Sequence, residues 1–334
     1  MSDTSLLIPN SPPLPGLVFR RFRGESDYPS MAALIGACKL ADGVERSSSV
    51  EDVAQIYRHL ENCDPQADML FAEVDGQVIA YGRLLWLDQV DGSRVYIPVG
   101  FLHPTWRGKG LGSAIWAAGE ERARQIASGH PREMQKFLQI SVFETEKALI
   151  SLLERSGYQA VRYETHMVRD LSEPFPAASM PPGLQVRPVR PDHLRPIFDA
   201  SNEAFRDHWG AHEATEAEYR AELDSKEFRP ELWKVAWAGD QVASVVHNFV
   251  NEDENNDYQR KRGYTEGICT RRPWRKLGLA RSLLVQSMQM FKEMGFTETA
   301  LSVDSQNLSG AFRLYEGVGY HRVHQQTIYR KPME

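Results

Sequence analysis

One ordered series of features occurs twice along this chain, and few folds are compatible with such a repetition. In the first copy an apolar run, Val95 to Leu102, leads into Arg107-Gly108-Lys109-Gly110-Leu111-Gly112 and a helical pattern through Ile126. In the second, Gly263 to Thr270 leads into Arg275-Lys276-Leu277-Gly278-Leu279-Ala280 and a helical pattern through Met294. Upstream of each lies a hairpin signature. Asp75-Gly76 splits the alternating runs Leu70–Val74 and Gln77–Ala80, and Gly239-Asp240 splits Lys234–Ala238 and Gln241–Ser244. Short strands open both copies, Val18–Phe22 and Val186–Val189, and both close with a strand (Phe137–Phe143; Thr299–Asp304), a helix and a Gly-Tyr pair (Gly157-Tyr158; Gly319-Tyr320). Strands, hairpins and intervening helices in this order predict an α/β (α+β) architecture, a mixed sheet covered by helices.

The 334 residues suit two domains. Residues 171–183 carry four prolines and no hydrophobic period, which makes them the expected linker. The expected organisation is a loose leader at 1–15, an N-terminal domain at 16–170, the linker, and a C-terminal domain at 184–334. No apolar run approaches the roughly 20 residues of a membrane helix, and the N-terminus has no basic, apolar and small-residue sequence of a secretion signal. A net charge of −6 would repel nucleic acid, although Arg271-Arg272-Pro273-Trp274-Arg275-Lys276 could receive a small anion. The three cysteines, Cys38, Cys63 and Cys269, form no CxxC pair, so neither a disulfide framework nor a metal site is expected, and a cytoplasmic location fits best.

The repeated turn has a physical use. Small residues let backbone N–H groups converge, and the helix start adds partial positive charge, so the turn suits a pyrophosphate. It is neither GxxxxGK[ST] nor the dinucleotide fingerprint, since both copies lack the third glycine. In the second copy it is followed by Asn307-Leu308-Ser309-Gly310-Ala311-Phe312-Arg313-Leu314-Tyr315-Glu316-Gly317-Val318-Gly319-Tyr320.

With these motifs the chain resembles the GCN5-related N-acetyltransferase (GNAT) superfamily over nearly its whole length. Arg107–Gly112 and Arg275–Ala280 meet the pyrophosphate-loop pattern Gln/Arg-x-x-Gly-x-Gly/Ala. Asn307, Ala311, Leu314-Tyr315-Glu316 and Gly319-Tyr320 meet the later motif. The tandem arrangement is similar to that of mycothiol synthase-type two-domain acetyltransferases. The resemblance implies two tandem GNAT-like domains with mainly antiparallel sheets and acetyl-CoA as co-substrate. It also implies transfer by direct attack in a ternary complex, with a small-molecule primary amine as acceptor.

The resemblance further implies cofactor-binding roles for Ile268, Cys269 and Thr270 through their backbone, for Arg275, Lys276, Leu277, Gly278, Leu279 and Ala280 as the loop, and for Asn307. Tyr315 is implied as the acid that protonates the departing thiolate, and Glu266 as the base. Strand alternation keeps Tyr264, Glu266 and Ile268 on one face. The matching first-copy positions are Leu153 and Pro98, neither of which can exchange a proton, so catalysis is expected in the C-terminal copy. The complete loop Arg107, Gly108, Lys109, Gly110, Leu111 and Gly112 stands as a second cofactor candidate.

Asn307 could instead cap its helix. Cys269 reads as a buried strand thiol without a nucleophilic role, Asp207 and His208 as polar loop or acceptor-pocket residues, and the acidic stretch 251–257 as a solvated hairpin loop. Two alternative functions remain open: a non-catalytic acyl-CoA sensor, or an acetyltransferase acting on a protein amine.

Overall fold

The computed structural model describes residues 6–46, 48–307 and 310–333. The chain forms two compact units, one of Met1–Val161 with Thr327–Glu334 and the other of Arg162–Gln326.

In the first unit the strands β1 (Leu17–Arg20), β2 (Met69–Val74), β3 (Gln77–Asp88), β4 (Arg94–Leu102) and β5 (Lys136–Phe143) lie side by side in that order. All pairs are antiparallel except β4 with β5. Asp75 and Gly76, both at positive φ, make the two-residue β2–β3 turn that their Asp-Gly sequence favours. Alternation along the strands supplies two apolar faces. Phe71 and Tyr81 pack on Met31 and Leu34 of α1 (Tyr28–Asp42), beside α2 (Val50–Arg58), with the short α3 (Pro65–Asp68) preceding β2. Leu84, Tyr96 and Leu138 pack on Ala123 of α4 (Leu111–Ser128), with Leu153 of α5 (Lys147–Arg155) in the same cluster.

The chain's C-terminal residues complete this unit. Tyr329 joins the cluster of Leu84 and Tyr96, Lys331 Nζ reaches Glu120 at 2.8 Å, and the Met333 N–H donates to the Lys136 carbonyl at 3.0 Å.

The second unit takes one of its strands from before the proline-rich segment. Residues 164–170 of β6 (Gln159–Asp170) pair antiparallel with a strand whose edge would otherwise be open, residues 298–304. The remaining elements follow in sequence: β7 (Gln185–Arg187), α6 (Leu194–Phe205), α7 (Glu216–Leu223), β8 (Lys234–Ala238), β9 (Gln241–Phe249), α8 (Glu252–Asp257), β10 (Arg262–Thr270), α9 (Leu279–Glu293), β11 (Glu298–Asp304), α10 (Ala311–Glu316) and the first half of β12 (His321–Pro332), whose later residues belong to the first unit. Strands β7 to β10 are antiparallel neighbours, and β10 runs parallel to β11. Leu284, Met288 and Phe291 of α9 fill one face, and Ile197 of α6 with Trp233 and Val245 fills the other.

The mixed, mainly antiparallel sheets flanked by helices agree with the sequence expectation. The compact units divide the chain differently from the expected 16–170 and 184–334. Residues 171–183 contain neither helix nor strand, as their prolines require, yet they fall within the second unit, with Phe175 and Ala178 against its core. The acidic stretch is not a hairpin loop. It folds as α8, where Asn251 accepts the Glu254 N–H at 3.0 Å, and Asn255 exchanges two hydrogen bonds with the Arg262 backbone at 2.9 Å. Those amides supply the cap and anchor that a solvated loop would lack.

Candidate active site in the second unit

Strand β10 separates from both neighbours at one place. Its parallel pairing with β11 covers Arg262, Gly263 and Tyr264 only. On the other side, Glu266 pairs with His247 and Cys269 with Val245, so one extra residue is accommodated between them. Such a bulge leaves its main-chain groups outside the ladder, here around Gly267 and Ile268. Gly267 sits at φ +56°, and a Cβ there would lie 3.0 Å from His247 Nδ1, so glycine is needed twice over.

The turn after β10 is held from behind. Arg275 donates from Nε to the Thr270 carbonyl at 2.9 Å, from Nη2 to the Ala204 carbonyl at 3.2 Å, and from Nη1 to Asp207 at 2.7 Å. Its guanidinium therefore braces the loop against the end of α6. Lys276 (φ +64°) and Gly278 (φ +82°) both adopt left-handed backbone, and Gly278 opens α9 without any side-chain cap. The first N–H groups of α9, from Leu279 and Ala280 onward, have no intrahelical acceptor, and a Cβ on Gly278 would meet open space. Open N–H groups at a helix start attract anions. Leu277 is exposed beside it.

Two titratable groups of the same unit are shifted from their ordinary values. Burial, reinforced by the charge of Glu164 and opposed by a hydrogen bond from Ser302, pushes the Glu266 carboxyl up to about 8. Tyr315 of α10 is 5% exposed, and burial with the negative charge of Glu266 raises its phenol above the usual range. Glu164 is itself raised, by burial and then by Asp304, its cross-strand partner. Burial lowers His247 to about 4; the ring stacks on Trp233 at 4.3 Å and lies 3.6 Å from Glu222.

Other expected residues are placed as follows. Cys269 is buried, its thiol pushed up to about 11 by burial, and its carbonyl accepts from Ser244 Oγ at 2.6 Å. That is an inert structural thiol. Thr270 Oγ1 shares the same Ser244 hydroxyl at 2.9 Å. Asn307 does not cap α10: Gly310 is the N-cap, and Asn307 stands in the preceding turn, accepting the Gly310 N–H on its carbonyl at 3.4 Å. Asp207 is held well below the usual carboxylate range by Arg272 and Arg275, so it serves the loop. Burial lowers His208. Sequence reasoning missed Glu164, His247 and Glu222. Glu164 lies before the proline-rich segment and was grouped with the other domain, while His247 and Glu222 carry no motif.

The first unit repeats the scaffold with different chemistry. Arg107 bonds both carboxylate oxygens of Asp42, at 2.5 and 2.8 Å, and Gly108 and Gly110 are left-handed like Lys276 and Gly278. Beside this loop lies a cavity of about 390 Å³ lined by Cys38, Arg107, Gly110, Gly112, Trp116 and Leu149. The β3–β4 register runs unbroken from Asp88↔Arg94 to Ala80↔Leu102, so there is no bulge. Pro98 and the fully buried Leu153 occupy the places of Glu266 and Tyr315.

The second unit thus carries a bulged strand, a helix opened by glycine at the strand's end, a carboxyl raised to about 8 and a buried phenol. The Acetyltransferase (GNAT) family model matches residues 38–158 and again 194–320, and the chain belongs to that family of N-acetyltransferases. Among its relatives, the mycothiol acetyltransferase of Kineococcus radiotolerans is 30% identical over 324 residues, covering 95% of this chain and 94% of that protein. That of Thermobispora bispora is 26% identical, covering 91% and 96%. A solved GCN5-related N-acetyltransferase from Sphaerobacter thermophilus superimposes with a TM-score of 0.70 at 29% identity, covering 95% of each chain. A tandem GNAT protein from the clavulanic acid pathway shares the fold, with a TM-score of 0.67 at 14% identity over 95% of this chain and 98% of that one.

Proposed function

We propose that the second unit transfers the acetyl group of acetyl-CoA to a primary amine of a small molecule, by direct attack in a ternary complex. The observation that carries this reading is the bulge at Gly267, which frees backbone donors on the strand that also carries Glu266. The turn at Gly278, Leu279 and Ala280 suits a pyrophosphate: a Cβ on Gly278 would meet nothing within 4 Å, and α9 starts without a side-chain cap. Lys276 adds charge, and the backbone of Ile268, Cys269 and Thr270 flanks the pantetheine arm. Asn307, in the turn before α10, completes the cofactor contacts.

Glu266, with its carboxyl raised to about 8, is partly ionised at neutral pH and takes a proton from the acceptor's ammonium, leaving the neutral amine that attacks the thioester carbonyl as its C–S bond breaks. Backbone N–H groups released by the bulge stabilise the oxyanion that forms at the thioester carbonyl. Tyr315, kept protonated by its raised pKa, supplies a proton to the thiolate as it leaves. The mycothiol acetyltransferase relatives support a small-molecule acceptor over a protein one. The first unit, with its open loop cavity but no equivalent of Glu266 or Tyr315, holds acetyl-CoA without turning it over.

The test is thiol release from acetyl-CoA over a panel of small amines, comparing wild type with Glu266→Gln and Tyr315→Phe. Amine-dependent turnover that both variants lose while still binding acetyl-CoA supports the assignment. Turnover unaffected by either substitution refutes it.

A further inference from the structure

The split between β10 and β11 places more than Glu266. Their parallel register ends at Tyr264↔Ala300, and two residues further on Glu266 stands opposite Ser302. Across β11, Ser302 pairs with His166 of β6; across β10, Glu266 pairs with His247 of β9. Directly opposed residues share a face, so His247, Glu266, Ser302 and His166 form one row across β9, β10, β11 and β6. The alternation is visible in their neighbours. Thr265, Leu301, Val303, Thr165 and Met167 are buried on the other face, whereas each member of the row is partly accessible.

Hydrogen bonds join the last three members. Ser302 Oγ lies 3.1 Å from His166 Nδ1. Among the described residues Ser302 alone hydrogen-bonds the Glu266 carboxyl, from its hydroxyl and from its backbone N–H. A hydroxyl has one proton to give. A bare Nδ1 on His166 would compete with Glu266 for it, whereas a protonated Nδ1 donates to Ser302 Oγ and leaves that proton for the carboxylate.

The first unit has no such row. There the register Tyr96↔Leu138, carried two residues on, sets Pro98 opposite Ile140, and Pro98 pairs with Leu84 on β3. All three are apolar, and Leu84 and Ile140 are buried. The hydroxyl accompanies the carboxyl and is absent where the carboxyl is.

We propose that Ser302 and His166 are positioning residues for the Glu266 carboxylate: His166 donates from Nδ1 to Ser302 Oγ, which turns the Ser302 hydroxyl onto Glu266 and favours its ionised form. Their part in acetyl transfer rests on the reading of Glu266 as the base. The other groups around this carboxyl are His247 of β9 with Glu222 of α7 beside it, Glu164 of β6, Asp304 of β11 paired with Arg162, Tyr315 of α10, and Tyr320. None of them donates a hydrogen bond to Glu266.

The test follows the carboxyl itself. The full chain, isotopically labelled at its glutamate carboxyls, is titrated by NMR, with the Glu266 signal assigned by its loss in Glu266→Gln. The pH dependence of kcat/KM is measured alongside with one amine throughout. Removing a donor to the ionised form raises a carboxyl's pKa. Ser302→Ala is therefore expected to move the midpoint up by about one pH unit, lowering kcat/KM about tenfold at neutral pH while its high-pH plateau stays in place. Ser302→Thr, which keeps the hydroxyl, retains the wild-type midpoint. His166→Leu moves it up by less than Ser302→Ala does, and His166→Asn, whose amide donates where Nδ1 did, restores it. An unmoved carboxyl midpoint in Ser302→Ala, or identical midpoints in His166→Leu and His166→Asn, would overturn the proposal. A carboxyl midpoint that moves while the rate profile stays put upholds the row and refutes Glu266 as the base.

Discussion

Gly267 and His247 stand so close across the β9–β10 pair that a single methyl group on the glycine would lie 3.0 Å from the ring nitrogen Nδ1. The contact fixes the bulge in which Glu266 is presented. Gly267→Ala must accept a left-handed φ and push His247 off its stack on Trp233. It is expected to cost about 1–3 kcal/mol, read as a lower thermal midpoint. Because the strand shifts with it, kcat should fall more than KM for acetyl-CoA rises.

Glu266 makes activity and stability move oppositely with pH. Its carboxyl titrates near 8 in the folded chain against an ordinary 4.5, so the folded state binds this proton more tightly than the unfolded state. Between about pH 4.5 and 8 the group therefore subtracts stability as pH rises. Thermal melts across that window should show Glu266→Gln gaining on wild type toward high pH. The rate should behave in reverse: wild-type kcat/KM climbs with an apparent pKa near 8. Glu266→Gln loses about 10² to 10⁴ in kcat, as expected for removal of a general base.

Tyr315 offers a cleaner separation of chemistry from structure. Phenylalanine keeps the ring that packs among Leu284, Val318 and Tyr320 and removes only the hydroxyl. Tyr315→Phe should lower kcat about tenfold or more with acetyl-CoA affinity unchanged in calorimetry. An unchanged kcat would remove the phenol from the reaction, and a protein that only sensed acyl-CoA would have no turnover to lose.

Asp207 and Arg275 form an exposed pair whose contribution to global stability should be small. Its role is local. Asp207→Asn should leave the thermal midpoint within about a degree, since exposed pairs contribute little, yet raise KM for acetyl-CoA severalfold as the turn before α9 loosens. A large loss of stability with unchanged KM would contradict the loop-bracing role.

Most of the scaffold was legible in the sequence because it rests on short-range patterns. Asp75-Gly76 and Gly239-Asp240 specify their turns locally, Gly110 and Gly278 mark helix starts, and strand alternation specifies the buried faces. What was not legible depends on long-range pairing. The edge of β11 could be covered by any strand, and nothing in residues 164–170 announces that they pair there. Residues 164–170, which the expected boundary puts in the N-terminal domain, fall in the second unit. The bulge was hidden too: alternation expects Tyr264, Glu266 and Ile268 on one face, but the extra residue turns Ile268 to the other face, against Leu279 and Leu284 of α9, and puts Cys269 on the face of Glu266. Asn251 and Asn255 turned an acidic run into a helix through contacts with the Arg262 backbone that composition does not disclose.

The most direct test of the account is a calorimetric titration with acetyl-CoA of wild type, Gly278→Glu and Gly110→Glu, each also assayed for amine-dependent thiol release. The account predicts binding by wild type, loss of a site together with turnover in Gly278→Glu, and loss of the other site with turnover retained in Gly110→Glu. Turnover that survives Gly278→Glu but not Gly110→Glu would move the chemistry to the first unit. A wild-type chain that binds no acetyl-CoA would contradict the account at its root.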